Sequence, residues 1–193
     1  LTNRRLFVAL DPPEPVRRRI AAVVAALRRT AGHAADEVRW TATDTLHLTV
    51  QFLGAVPEER IPEIDAAVRT AAAGSPALQL ELRGAGGFPN ARRPRVVWLG
   101  IAGDVAPLAA LAADLGRRLT PLGFQPETRP FSPHLTVGRA RDAHGAAGLG
   151  GALAEASQGE GIAWRASELV LFESHLEPGG VRHEALLRAP LGG

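Results

Sequence analysis

Apolar residues in this chain alternate between two rhythms. Arg5–Leu10 (RLFVAL) is a short, nearly continuous apolar run and predicts a buried strand. From Glu14 to Ala31 the positions Val16, Ile20, Val23, Val24 and Leu27 keep helical spacing, opened by Pro12, Pro13 and Pro15 and closed by Gly32. Trp40 lies in an extended link, and Leu46–Leu53 predicts a strand ended by Gly54. Glu58–Ala73 predicts a second helix with Ile61, Ile64 and Val68 on one face, and Leu78–Leu82 (LQLEL) alternates as a half-exposed strand.

The order then recurs. Arg95–Ile101 is a strand, Asp104 caps a helix carrying Leu108, Leu111, Leu115 and Leu119, and His134–Arg139 is a strand again. A glycine-rich helical stretch at about 146–157 precedes a strand at Glu168–Glu173, a PGG turn at Pro178–Gly180 and a last strand near His183–Ala189. Each half reads strand, helix, strand, helix, strand. This predicts an α+β fold with two sheet-bearing lobes in one domain spanning 1–193, its pseudo-symmetric halves at about 1–90 and 91–193. The segment Arg83–Arg95 (RGAGGFPNARRPR) reads as a polar connection between them. A doubly wound parallel sheet is disfavoured by the terminal hairpin and the lack of a glycine-rich first turn.

Composition changes this picture only by exclusion. With 46% apolar and 22% charged residues, the chain has ordinary globular proportions. Its longest apolar stretch, Ile20–Leu27, is too short to span a bilayer, and LFVAL runs into Asp11 and two prolines, unlike a signal peptide. There is no cysteine, hence no disulfide framework or thiolate metal site, and a cytoplasmic monomer is expected. The pI of about 10.7 arises because all 22 basic residues are arginine and tyrosine and cysteine are absent. Nothing titrates between histidine and guanidinium, so a net charge of +2 persists to high pH.

The candidate chemistry lies in a repeated tetrapeptide. HLTV occurs at His47–Val50 and again at His134–Val137, at matching places in the two halves. Side chains two apart on a strand share a face, so His47 lies with Thr49 and His134 with Thr136, about 7 Å apart along the backbone. The intervening leucines and the valines point into the core. If the two strands meet across a cleft, two imidazoles and two hydroxyls converge. That set suits displacement at a phosphodiester, where attacking and leaving oxygens lie on opposite sides of phosphorus. One imidazole can take a proton while the other gives one, and the hydroxyls can donate to the non-bridging oxygens.

With RLFVAL, RW before LHLTVQFLG, GGFP before RVVWLGI, FSPHLTVGR and ELVLFESHLEPGG, the chain resembles the two-histidine phosphoesterase superfamily. Within it, the bacterial and archaeal RNA 2′,3′-cyclic phosphodiesterases, historically called 2′-5′ RNA ligases, are the most similar branch. The resemblance implies a bilobal fold whose mainly antiparallel sheets flank a central cleft with helices outside. It implies hydrolysis of a ribose 2′,3′-cyclic phosphate to a 2′-phosphomonoester without metal or other cofactor, and possible reverse 2′-5′ ligation. It assigns His47 as acid to the 3′-oxygen and His134 as base for water, with Thr49 and Thr136 on the phosphate. By similarity Phe131 stacks on the base and Arg139 contacts phosphate; their bland readings are a core phenylalanine and a surface arginine. The expected partners are RNA with 2′,3′-cyclic phosphate ends or small cyclic nucleotides. The alternatives are a non-catalytic nucleotide- or RNA-binding module and an esterase for a small cyclic nucleotide.

His33, His144, His175 and His183 read as exposed and show no zinc-ligand spacing. His183 stands where relatives often carry tyrosine. Arg17–Arg19 and Arg28–Arg29 read as a solvated helix face, and Arg92, Arg93 and Arg95 as residues that could steer an RNA strand.

Overall fold

The computed structural model describes residues 3–125, 130–178 and 180–192. Its elements are β1 (Asn3–Leu10), α1 (Glu14–Ala31), β2 (Val38–Trp40), β3 (Leu48–Pro57), α2 (Ile61–Ala73), β4 (Leu78–Phe88), β5 (Val96–Gly103), α3 (Val105–Leu119), β6 (His134–Ala140), α4 (Gly150–Ala156), β7 (Ile162–Ala166), β8 (Glu168–Glu177) and β9 (Gly180–Pro190). The strands form one curled antiparallel sheet in the order β7-β4-β5-β6-β3-β1-β8-β9, with β2 also on β6.

The α+β class stands, but the two expected sheets are arms of one. They join through a single pair, Leu48 of β3 with Leu135 of β6. Each arm draws strands from both halves of the sequence: β1 and β3 lie with β8 and β9, while β4 lies between β5 and β7.

One sheet face carries the main core. Leu6, Val8, Leu48, Leu135 and Leu171 meet the apolar stripes of the helices there, including Ile20 and Leu27 of α1 and Leu108 and Leu115 of α3. Each such fully buried side chain is worth roughly 1.5–3 kcal/mol. On the other face a smaller apolar cluster of Phe7, Ala9, Val170 and Phe172 stands apart. Strand alternation alone divides β1 in this way.

Several expected boundaries move. The first HLTV strand runs past Gly54 to Pro57, because Gly54 takes a positive φ of 74° at a bulge opposite β1 and the ladder resumes beyond it. Arg83–Phe88 belongs to β4, paired with β5, so only the residues after it form the connection. The expected 146–157 helix shrinks to α4, and β7 (IAWRA) is a strand that the sequence pattern does not predict. Asp104 precedes α3, but its carboxylate accepts from the Gln79 N–H at 2.7 Å instead of capping the helix. Of the PGG turn, Gly179 lies outside the described residues.

Candidate active site

The site grows from the one pair that joins the arms. Leu48 and Leu135 are both buried beneath the sheet. Their neighbours His47, Thr49, His134 and Thr136 therefore face the opposite side, all of them half-buried. Antiparallel register runs in opposing directions, so one step from the Leu48–Leu135 pair turns His47 toward Thr136 and Thr49 toward His134. The local twofold of that pair generates the four-residue group.

Both imidazoles are held alike. His47 Nδ1 lies 2.8 Å from the Thr45 carbonyl, and His134 Nδ1 lies 2.8 Å from the Ser132 carbonyl. A carbonyl oxygen only accepts, so Nδ1 carries the proton in each ring. Nε2 is left as the nitrogen that can take up or give a proton.

Both strands also bulge at the valine of HLTV. Ala9 pairs with Thr49 and Val8 with Gln51, skipping Val50; Trp98 pairs with Thr136 and Val97 with Gly138, skipping Val137. The extra residue reverses the alternation beyond it. Phe52 and Arg139, each five residues after a histidine, would otherwise face the core; the bulges return them to the histidine face. Phe52 pairs with Phe7 and is 68% exposed, while Arg139 is exposed and pairs with Val96 and Arg39. Glycine is required at 138, where a Cβ would lie 2.6 Å from Val38 Cγ1.

The surroundings differ. The His47 ring touches Phe7 (centroids 4.6 Å) and meets His183 edge-on at 5.1 Å, with Phe172 stacked behind Phe7 at 5.3 Å. His134 lies edge-on to Phe88 at 5.0 Å and 6.4 Å from Trp98. Trp98 fits because residue 86 is glycine; a Cβ there would come within 2.4 Å of the indole. Burial pushes His47 down to about 4; the Thr45 carbonyl opposes this, His183 and Arg17 add to it, and Asp11 opposes. Burial likewise lowers His183, against the opposing charge of Asp44.

Beside His47 is an open cavity of about 300 Å³, lined by Asp11, Arg17, Asp44, His183 and Arg188 among others. Arg17 is not on a solvated face. Its guanidinium pairs with Asp11 and donates to the carbonyls of Pro12 (2.8 Å), Thr43 (2.9 Å) and Leu46 (2.7 Å), tying α1 to the segment before β3.

Thus His47, Thr49, His134 and Thr136 come together, and Arg139 shares their face. Phe131 is half-buried and packed against the main core. His33 and His144 are exposed as expected. His183 is not: it is a half-buried β9 residue of the site. His175 lies on the opposite sheet face with Glu173 and Glu184, their ligand atoms within 4.8 Å; Arg4 already pairs with Glu173 there. Sequence reasoning misses Phe7, Phe52, Phe88, Trp98 and His183 because their places depend on pairing between distant strands and on bulges. The alternation within RLFVAL is the only available hint, and it fits a core strand equally well.

Known proteins share this arrangement of elements. The 2′-5′ RNA ligase superfamily profile matches residues 12–177. The RNA 2′,3′-cyclic phosphodiesterase of Methanothermobacter thermautotrophicus is 34% identical over 176 residues, 91% of this chain and 92% of its own. That of Escherichia coli is 32% identical over 186 residues, 96% and 95% of the two chains. Among solved structures, TT0787 of Thermus thermophilus superposes with a TM-score of 0.77 at 28% identity, over 98% of each chain. LigT of Escherichia coli complexed with 3′-AMP gives 0.76 at 29% identity, also over 98% of each.

Proposed function

The chain belongs to the 2′-5′ RNA ligase superfamily, and from that premise we propose that its two histidines open a ribose 2′,3′-cyclic phosphate by paired acid–base catalysis. It is an RNA 2′,3′-cyclic phosphodiesterase, as its relatives at 28–36% identity are. The observation that carries the mechanism is the mirrored pair: two imidazoles, each presenting Nε2, related by the Leu48–Leu135 twofold with a threonine beside each.

The chemistry follows from in-line displacement. Water enters on one side of phosphorus and gives its proton to His134 Nε2. The P–O3′ bond breaks on the other side, and His47 Nε2 gives its proton to the leaving oxygen, so a 2′-phosphomonoester results. Thr49 and Thr136 donate to the non-bridging oxygens, where charge must be held. In the free protein burial keeps His47 uncharged at neutral pH. An arriving phosphate anion is the opposite charge that lets it take up the proton it must give. A ribose 5′-hydroxyl in place of water would give the 2′-5′ linkage by the same route.

Phe52, exposed on the cleft face, is a better placed ring for stacking on a nucleobase than Phe131, which packs partly against the core. Arg139, on the same face, remains the candidate cation for substrate phosphate.

The test is a short RNA ending in 2′,3′-cyclic phosphate, incubated with the protein in EDTA and resolved by phosphorus NMR. A 2′-monoester is expected. A 3′-monoester would exchange the two histidine roles, and binding without cleavage would leave a nucleotide-binding module. Loss of activity in EDTA with rescue by a divalent ion would move the protein to a metal-dependent reaction.

A further inference from the structure

His183 takes no part in the mechanism above, yet it touches the histidine that gives the proton. It comes from β9, remote in sequence from the HxT strands, and reaches the cleft because it pairs with Ser174 on the face of Phe172. Its ring stands at 86° to that of His47 with centroids 5.1 Å apart, and at 74° to Phe7 at 4.9 Å. Phe7 and His183 thus both contact the His47 ring, and His47 Nδ1 is tied to the Thr45 carbonyl. His183 also lines the open cavity of about 300 Å³ beside His47.

Its polar atoms point the same way. His183 Nδ1 is buried with no hydrogen-bond partner among the described residues. A buried nitrogen spent on no structural bond gives no reason for an imidazole in the fold itself. What the ring does is cover its neighbour.

We propose that His183 is a positioning residue for His47: its ring packs edge-on against the catalytic imidazole at the cavity that both line, fixing that ring's orientation and taking part of its surface away from water. The charged and titratable groups around His47 are His183 and Arg188 from β9, Glu14 and Arg17 from α1, Asp11 between β1 and α1, and Asp44 before β3. Arg17 is committed to Asp11 and three carbonyls, so His183 is the member whose removal opens the ring to solvent without breaking that frame. The low value of His47, caused first by burial, agrees with such a cover.

The inference rests on the paired-histidine reading, but its first readout needs no turnover. His47 is titrated by NMR in the wild type, in His183→Ala and in His183→Phe. Alanine should move His47 up toward the ordinary value near 6.5, and phenylalanine, which restores the cover, should bring it back down. In turnover of a cyclic-phosphate dinucleotide, alanine should lower kcat about tenfold to a hundredfold with little change in KM. Phenylalanine should recover most of that loss. An unchanged His47 titration in His183→Ala overturns the proposal. So does a His183→Phe enzyme as slow as His183→Ala with a raised KM, since His183 would then contact substrate through a ring nitrogen. If the titrations behave as expected but neither His47→Ala nor His134→Ala slows turnover, the fault lies with the paired-histidine reading instead.

Discussion

The β3 and β6 ends of the cleft share a backbone and differ in everything laid over it. Both carry HLTV, both tie Nδ1 to the carbonyl two residues back, and both bulge at the valine. Around His47, however, the walls are Phe7, Phe172 and His183, with carboxylates and committed arginines beyond. Around His134 they are Phe88 and Trp98, with Arg39 and Arg139 farther along the same face. The lesson is that the repeat specifies where two imidazoles stand, while unrepeated neighbours specify what each can do. The bound substrate, whose two ester oxygens differ, sets the direction of displacement, and burial leaves the His47 ring uncharged in the free protein.

The harshest way to break the comparison is to remove one side. His47→Ala and His134→Ala should each lower turnover by roughly 10²–10⁴ with the fold intact by circular dichroism. The double variant should lose far less than the product, because the rings act on one displacement. A variant of either residue turning over at near the wild-type rate would show that the symmetry is architectural only.

The second expectation separates the ends by stability. Folded His47 takes up its proton at about 4, whereas the unfolded ring takes one near 6.5. Between those values the unfolded state binds more protons, so stability is full above pH 6.5 and declines as pH falls toward 4. The difference corresponds to roughly 3 kcal/mol at about 1.4 kcal/mol per pKa unit. His183, also lowered by burial, adds a decline of the same sign. Urea unfolding at pH 7.5, 5.5 and 4 measures it. His47→Gln should flatten much of the slope, and a variant as steep as wild type would show that the pocket is not the cause.

How far can this be read in the letters? The α+β class, the HxT faces and the four converging groups are legible, because strand alternation and a duplicated tetrapeptide are local signals. Arg139 is legible as a candidate but not as a cleft residue, since simple alternation puts it on the core face and only the Val137 bulge reverses it. The same bulge logic hides Phe52. His183 is illegible because its neighbours Phe7 and His47 are more than a hundred residues away in sequence. Arg17 is misread as solvated since its partners, the carbonyls of Thr43 and Leu46, belong to a segment with no periodicity.

A third, smaller effect asks which ring serves the base. Phe52→Ala should weaken substrate binding by about 1–3 kcal/mol for all four bases, with little change in Tm, because the ring is exposed. Phe131→Ala should instead cost stability, through its partly buried contact with the core. Michaelis constants and melting curves of the two variants decide it, and the opposite pattern would return the stacking role to Phe131.

The smallest expected effect extends the comparison past the rings. The cavity beside His47 carries Asp11, Glu14 and Asp44, with Arg17 and Arg188 both already paired to Asp11. Beyond His134, the connection after β4 holds Arg92 and Arg93, whose backbone N–H groups donate to Asn90 Oδ1 and hold the turn. Among the described residues no carboxylate lies within ion-pair distance of either guanidinium, and Arg95 O accepts from the Ala140 N–H at the end of β6. An RNA strand leaving the cleft past the end of β6 would meet two arginines that have no ion-pair partner among the described residues. Each phosphate neutralised on a single strand contributes about −0.7 to the slope of log affinity against log salt. The Arg92→Ser, Arg93→Ser double variant should make binding of a decanucleotide with a cyclic end less salt-dependent by roughly 1.4 in that slope, as two lost contacts require. At low salt its kcat/KM on the decanucleotide should fall severalfold, while hydrolysis of a cyclic mononucleotide, too short to reach the turn, should not change. An undiminished salt slope on the longer RNA would mean that the strand leaves the cleft by another path.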